Sequence, residues 1–427
     1  MHIVPPARVH RARPTRPRSR RDAPAAPGSP PGRPRAGRRF LSRAAAYFAL
    51  TWGLLALLAA TWHPAAAAAV LAAAAYTTVP IVAFARRGGG WRRYPTAAFR
   101  LGVVRPALYA QLLLPIAAAA GALGLLGGLP FGRALAAGRW AALAAAVGGA
   151  ALLVAGWLGS RRLRVREVEA HVPNLPPALD GLRVVQLSDL HVGPQTSRRF
   201  LARAAHAAAA LRPDLVVLTG DLVDDRAEDA PVFARWVGEL QAAARPPLGM
   251  VAIPGNHDVY AGWPAVAESL GRLTALRVLV NDALVVRRGG AALAVVGTGD
   301  PAGGGGPAGP NLERAFARVP AGTPVLALAH NPALFAPLEA YGPALTLSGH
   351  THWGQFALPG RGWSLASPFQ EFAMGGYQRG DALLYVHPGT GFWGVPFRLG
   401  AYPEVALVTL RRADGPARLA VGEARAA

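Results

Sequence analysis

The chain has no cysteine and no lysine, and its first 166 residues hold a single acid, Asp22. Without cysteine there are no disulfides and no thiolate ligands, so a bound metal must be held by oxygen and imidazole nitrogen. Without lysine all 45 basic residues are arginine, and with Ala, Gly and Pro so abundant this reads as a coding bias without mechanistic content. The scarcity of acids at the front locates the charge. Twenty-four arginines precede Glu167, while from Glu167 onward 21 arginines meet 22 acids, so the formal +22 belongs to the N-terminal part alone. Such an excess suits nucleic acid or an anionic membrane surface. It flanks apolar segments and lacks interleaved aromatics, so a membrane is the expected partner and no nucleic acid is expected.

Residues 1–43 carry twelve arginines among many prolines and no apolar periodicity. They have too little apolar surface to offset chain entropy and are expected to be a disordered tail. Four apolar segments follow near 44–62, 65–85, 106–129 and 140–159, none with an ionisable residue. Each is near the ~20 residues a helix needs to cross a bilayer, so 44–160 is expected to be an all-α region of four transmembrane helices. The alanine-rich second segment has the weakest insertion energy. Six arginines lie between Arg86 and Arg105, and Arg161, Arg162, Arg164 and Arg166 follow the fourth segment; the opposite turns hold only His63, Arg133 and Arg139. This asymmetry places both termini, and the C-terminal domain, on the cytoplasmic side of the cell membrane in a multi-pass protein. Arg38-Arg39-Phe40-Leu41 resembles a twin-arginine export signal, but Ser42 stands where an apolar residue is preferred and three further spans follow.

Beyond a linker at 161–177 the pattern changes. Leu182 to Leu187, Leu215 to Thr219, Val251 to Pro254, Ala292 to Gly297, Val325 to Ala329 and Ala344 to Leu347 read as buried strands, with Glu404 to Arg411 as a closing strand. Helical stretches at Ser197 to Leu211, Pro231 to Ala244 and Pro264 to Leu273 lie between several of them. This alternation predicts a layered α/β domain over 178–412, with 413–427 as a C-terminal tail. The Gly303 to Gly306 run neither follows a strand nor opens a helix, so it reads as a loop rather than a phosphate cradle.

Each predicted strand runs into a polar signature: Ser188-Asp189-Leu190-His191, Gly220-Asp221-Leu222-Val223-Asp224, Gly255-Asn256-His257-Asp258, Ala329-His330-Asn331 and Gly349-His350-Thr351-His352. The carboxyl ends of strands in such a domain converge on one edge, so these distant loops can meet. Carboxylates mixed with imidazoles suit divalent Mn, Fe, Zn or Ni. Taken singly, each signature is as often a turn, a cap or a structural histidine. Five in a row at strand ends make one site.

These residues resemble the calcineurin-like metallophosphoesterases, in Asp-x-His, Gly-Asp-x-x-Asp, Gly-Asn-His-Asp, a lone His and Gly-His-x-His, over about 178 to 412. The chain is similar in particular to a membrane-associated bacterial branch, through Leu328-Ala329-His330-Asn331-Pro332, Gly354-Gln355, Leu384-Tyr385-Val386, Arg398-Leu399-Gly400 and Pro403-Glu404. The resemblance implies a four-layer αββα sandwich with two divalent metal ions. It implies Asp189, His191 and His352 on the first ion, Asn256, His330 and His350 on the second, and Asp221 bridging them. His257 would sit beside the transferring phosphoryl group with Asp258 orienting it. Two ions would activate a bridging water for attack on phosphorus. Trp353 stands where the branch often has glycine and is expected to narrow the pocket; His387-Pro388 replaces a common Ser-Arg and is expected to remove a phosphate contact.

The remaining histidines, His2, His10, His63, His171 and His206, read as structural. His387 is a candidate for the pocket wall, Arg398 for a phosphate or solvent contact, and Asp224 and Asp225 for carboxylates behind the ligands. The expected activity is membrane-anchored hydrolysis of a phosphodiester, phosphomonoester or pyrophosphate, on a phosphorylated small molecule or a lipid. The competing readings are a tethered non-catalytic metal-dependent binding module and a tethered enzyme for soluble substrates.

Overall fold

The computed structural model describes residues 10–11, 35–86, 97–193 and 195–427. Two compact units divide near residue 155. The N-terminal unit holds three long helices, α1 (Arg35–Ala60), α2 (Pro64–Arg86) and α3 (Arg105–Gly128), and most of a fourth, α4 (Ala134–Gly159), whose last turn falls in the other unit. Among the described residues Gly102–Phe131 and Ala134–Gly159 are long and apolar enough to cross a membrane, and shorter apolar stretches lie in the first two helices at Ala49–Ala60 and Pro64–Thr78. Two candidate spans therefore stand among the described residues where four were expected. Glycine allows close packing of α3 on α4: a Cβ on Gly124 would meet the Ala137 carbonyl and one on Gly138 would meet Leu125. Most of the expected disordered tail lies outside the described residues. Its exceptions are the strand pair His10–Arg11, parallel to Tyr377 and Gln378, and the start of α1 at Arg35.

The C-terminal unit is built on two mixed sheets. The first orders Arg418–Ala426 (β13), Arg164–Pro173 (β1), Glu404–Ala413 (β12), Leu182–Leu187 (β2), Leu215–Thr219 (β3), Met250–Ile253 (β4) and Arg277–Val278 (β5). The second orders Gly375–Arg379 (β10), Ala382–Val386 (β11), Leu345–Ser348 (β9), Val325–Leu328 (β8), Ala291–Gly297 (β7) and Asp282–Arg288 (β6). Inward residues of both, such as Val184, Val217 and Val251 against Val295, Leu326 and Leu347, make one buried core. The opposite faces of β2, β3 and β4 carry Val185, Val216 and Ala252. These pack on α5 (Arg198–Ala210), α6 (Ala230–Ala244) and α7 (Asn256–Leu273) through Ala204, Phe233, Trp236 and Val266. Strands with two buried faces read as continuous apolar runs, which is why these were legible in sequence.

Two expectations change here. Residues 161–177, read as a linker, contain β1, which pairs along ten residues in parallel with β12. Its inward Val168, Ala170 and Val172 alternate with Glu167, Glu169 and His171, a strand period that the arginines at its start obscure. The 413–427 tail contains β13, antiparallel to β1 with a bulge between Val421 and Ala424. Asn281 immediately precedes β6. The buried Asn281 side chain donates to the Gly309 carbonyl and accepts from Gly299 and Asn311, so it braces the glycine-rich loop.

Candidate metal centre

Within the first sheet β2, β3 and β4 run parallel, and within the second so do β7, β8 and β9. Their carboxyl ends bring Asp189, His191, Asp221, Asn256, His330, His350 and His352 together. The backbone turns sharply as it leaves each strand. Asp189, His191, Asp221, His350 and His352 all have φ between +44° and +72°, a region costly for side chains with a Cβ. Non-glycine residues held there cluster at functional sites, because surrounding structure must override the strain. Gly220, Gly255 and Gly349 provide the close approaches: a Cβ at Gly255 would strike the Asp221 carboxylate, and one at Gly349 would strike Ser188 and Asp189.

Asp221 lies at the middle. Its Oδ2 is 3.5 Å from His191 Nε2 and 3.2 Å from His330 Nε2, and its Oδ1 accepts the His257 backbone N–H at 2.8 Å. On one side His191 Nε2 lies 2.9 Å from His352 Nε2, which is 3.4 Å from Asp189 Oδ1. Asp189, His191, Asp221 and His352 are buried, and one donor atom from each lies within 4.8 Å of the others. On the other side Asn256 Oδ1 is 3.1 Å from His330 Nε2 and 2.8 Å from His350 Nδ1. The donor set fits divalent ions: two imidazole nitrogens converge where at most one can donate to the other, and Asp189 Oδ2 is buried with no hydrogen-bond partner. His330 Nδ1 faces the Thr219 carbonyl at 2.8 Å, an acceptor that fixes the tautomer leaving Nε2 free for a ligand bond, and His191 Nδ1 lies 3.3 Å from Asp224 Oδ1.

The electrostatics follow this layout. Burial alone would raise Asp221, but His330, then His191 and His257, hold its carboxyl well below the usual range. Burial likewise opposes charge on His330, yet Asp221 outweighs it and lifts the imidazole well above its ordinary value. His350, buried and facing a charged His330, falls to about 4, and His352 falls well below its usual value through burial and Arg398.

The expected partnership of Asp258 with His257 is not what the fold builds. Asp258 is fully buried and accepts backbone N–H groups of Leu222, Val223 and Gly255, so it ties the Asp221 turn to the start of α7. The His257 ring is instead held by the Asp224 carbonyl at 3.0 Å and by Asp225 Oδ1 at 3.3 Å from Nδ1. Burial works against charging it, but Asp225, Asp221 and Asp224 push it up to about 9. Asp225→Asn removes the first of these, so the basic limb of a pH–rate profile is expected to move toward lower pH; an unmoved limb would dissociate Asp225 from His257.

Trp353 does not narrow a pocket. It is buried, donates Nε1–H to the Val386 carbonyl at 2.9 Å and packs with Ala357, Met374 and Ala401. His387 does not line one either, being fully buried with Nδ1 accepting from Gly389. Arg398 does not face solvent. Fully buried, it places Nη2 2.8 Å from His352 Nδ1 and donates Nη1 to the His352 and Pro388 carbonyls at 3.0 and 2.5 Å. The sequence marks the arginine but not its burial, because no apolar strand surrounds it. Lysine lacks the fork that reaches ring and carbonyls together. Arg398→Lys is therefore expected to weaken one divalent ion about 10- to 100-fold in calorimetric titration, and an unchanged affinity would show the contact to be idle.

Residues 182–354 match the calcineurin-like phosphoesterase family. A Danio rerio transmembrane protein with a metallophosphoesterase domain is 32% identical over 269 residues, which cover 58% of this chain and 58% of that protein. The Bacillus subtilis metallophosphoesterase YkuE is 30% identical over 239 residues, covering 56% of this chain and 82% of YkuE. UDP-2,3-diacylglucosamine pyrophosphatase LpxG of Chlamydia trachomatis is 25% identical over 310 residues, covering 58% of this chain and 88% of LpxG. The chain thus spans little more than half the length of the Danio rerio relative and most of YkuE. With the five signatures gathered at one edge of a double-sheet core, the chain belongs to the calcineurin-like metallophosphoesterases.

Proposed function

We propose that the chain is a membrane-anchored, metal-dependent hydrolase of phosphoester bonds, acting on a phosphodiester, phosphomonoester or pyrophosphate, lipid-linked ones included. The observation that carries this is the Asp221 carboxylate set between two groups of donors, with His257 beside them. Asp189, His191 and His352 with Asp221 would hold one divalent ion, and Asn256, His330 and His350 with Asp221 a second. Mn, Fe, Zn or Ni suit such oxygen and nitrogen donors. Bound there, the ions would supply positive charge to phosphoryl oxygens and acidify water. The chain's own residues do the rest. Asp221 keeps the two donor groups at a fixed separation, and the turn that positions it is tied down by Asp258. His257, protonated under the influence of Asp225, Asp221 and Asp224, donates to the leaving oxygen. Arg398 holds the His352 ring in place from behind.

The LpxG relative, named as a pyrophosphatase, supports including pyrophosphate bonds, and the relatives named as transmembrane support the anchor. In this reading α1 and α2 join α3 and α4 as four spans, with the arginine-rich loops and the catalytic domain on the cytoplasmic side. The test is hydrolysis of bis(p-nitrophenyl) phosphate by the purified full chain, with Mn added or chelated. Activity is expected only with the metal, and thermal stability should fall on chelation, by about 2.7 kcal/mol for each ion originally at 100 times its Kd. No turnover with any divalent ion would leave the non-catalytic binding module in its place.

A further inference from the structure

Five residues from His387 to Gly391 form a strap laced to the ligand turns through its backbone. His387 donates its N–H to the Ser348 carbonyl at 2.9 Å, Thr390 to the Ser188 carbonyl at 2.7 Å and Gly391 to the Asp189 carbonyl at 2.9 Å. Gly389 lets the strap pass between two candidate ligands. Its φ is +91°, and a Cβ there would stand 3.0 Å from His352 Nδ1 and 3.2 Å from Asp189 Cβ. Glycine alone combines that backbone with that clearance.

Thr390, fully buried, ties this strap to something firmer. Its hydroxyl donates to the Glu404 carbonyl at 2.8 Å and accepts the Ser188 N–H at 3.3 Å, and Glu404 returns its own N–H to the Gly389 carbonyl at 3.1 Å. Glu404 opens β12 and is itself buried. Its carboxylate accepts from Arg166 Nε of β1 at 2.6 Å and from the Tyr385 hydroxyl of β11, while Arg166 Nη1 donates to the Gly422 carbonyl of β13 at 2.7 Å. One buried cluster thus joins three strands of the first sheet to one of the second. Burial works against charge on Arg166, but Glu404 outweighs it and raises the guanidinium pKa. A buried ion pair gives little net stability over apolar packing of the same volume, whereas its close contacts fix the direction of the groups it joins. The direction fixed here is that of Glu404 and, through Thr390, that of the Ser188-Asp189 turn. Donors of the other group are braced elsewhere: His330 faces the Thr219 carbonyl at 2.8 Å and Asn256 Oδ1 at 3.1 Å.

We infer that Thr390 is a positioning residue for one divalent ion of the pair: its hydroxyl passes the hold of the buried Arg166, Glu404 and Tyr385 cluster to the Ser188-Asp189 turn, and so sets where Asp189 meets the ion it would share with His191, His352 and Asp221. The inference rests on the metal-dependent hydrolase reading above and goes beyond it, since Thr390 touches neither ion nor substrate. Groups that orient a ligand from outside the coordination shell commonly govern metal affinity as strongly as this placement requires.

The test compares Thr390→Val with Thr390→Ser in the metal-stripped full chain, titrated with Mn by calorimetry and followed by electron paramagnetic resonance. Thr390→Val keeps the shape of the side chain but takes the hydroxyl from the Ser188 N–H and the Glu404 carbonyl. It is expected to weaken one of the two ions about 10- to 100-fold and the other less than about threefold, so that at low metal the exchange-coupled Mn pair of the wild type gives way to isolated Mn. Thr390→Ser returns the hydroxyl and is expected to restore both ions. Wild-type binding of both ions in the valine variant overturns the inference. So does an equal weakening of both, which marks a general loosening of the fold, and so does a serine variant that behaves like valine, because the hydroxyl is then not the cause. If the valine variant does not fold, Tyr385→Phe loosens the same Glu404 carboxylate and is expected to weaken one ion selectively; unchanged Mn binding there overturns the inference equally. A wild type that binds both ions but hydrolyses no phosphoester would remove the hydrolase reading alone, and the Mn titrations would still decide the role of Thr390.

Discussion

Asp221→Asn is expected to lower metal-dependent phosphodiester hydrolysis by about 10³-fold or more, equivalent to some 4 kcal/mol of lost transition-state stabilisation. The substitution keeps the size of the side chain and its contact with the His257 backbone, so the fold should survive. It removes the negative charge that faces His191 at 3.5 Å and His330 at 3.2 Å. Without that charge two dications would repel one another with nothing between them, and His330 would lose the partner that lifts its pKa. Bound metal should fall with the rate. Wild-type rates in this variant would show that the carboxylate is not shared.

His257→Ala carries the second large effect and separates chemistry from metal binding. The His257 ring is not among the donors around Asp221 Oδ2 and is held by Asp224 and Asp225 instead. Its removal should leave metal content near the wild-type value and reduce turnover by about 10²- to 10⁴-fold, the range for loss of a positioned acid. The loss should shrink for substrates whose leaving oxygen needs no proton, such as p-nitrophenolate, and be greatest for an alkyl leaving group. A variant that lost metal and rate together would make His257 a ligand.

How much of this could be read from sequence depended on which physical constraint each residue obeys. The strands from Leu182, Leu215 and Val325 were plain because both their faces are buried, and the candidate ligands were plain because each of these strands runs into one. What was hidden came from long-range pairing. The linker and tail became β1 and β13 only because β12 folds back between β1 and β2, a placement no local pattern announces. The resemblance paired Asp258 with His257, but three N–H groups claim its carboxylate. A buried cation such as Arg398 is costly without hydrogen bonds, and its partners are carbonyls from loops 388 to 401, set in position only by the finished fold. In the N-terminal unit apolar content indicated helices correctly.

The central claim is that carboxylates and imidazoles from five loops hold a pair of divalent ions that this chain needs for hydrolysis. The most direct measurement is a titration of the metal-stripped full chain with Mn, following bound metal and bis(p-nitrophenyl) phosphate hydrolysis in the same samples. The account predicts no rate without metal and a rate that saturates as the second ion per chain is bound. Full activity in the presence of a chelator, or saturation with no Mn retained, would contradict it.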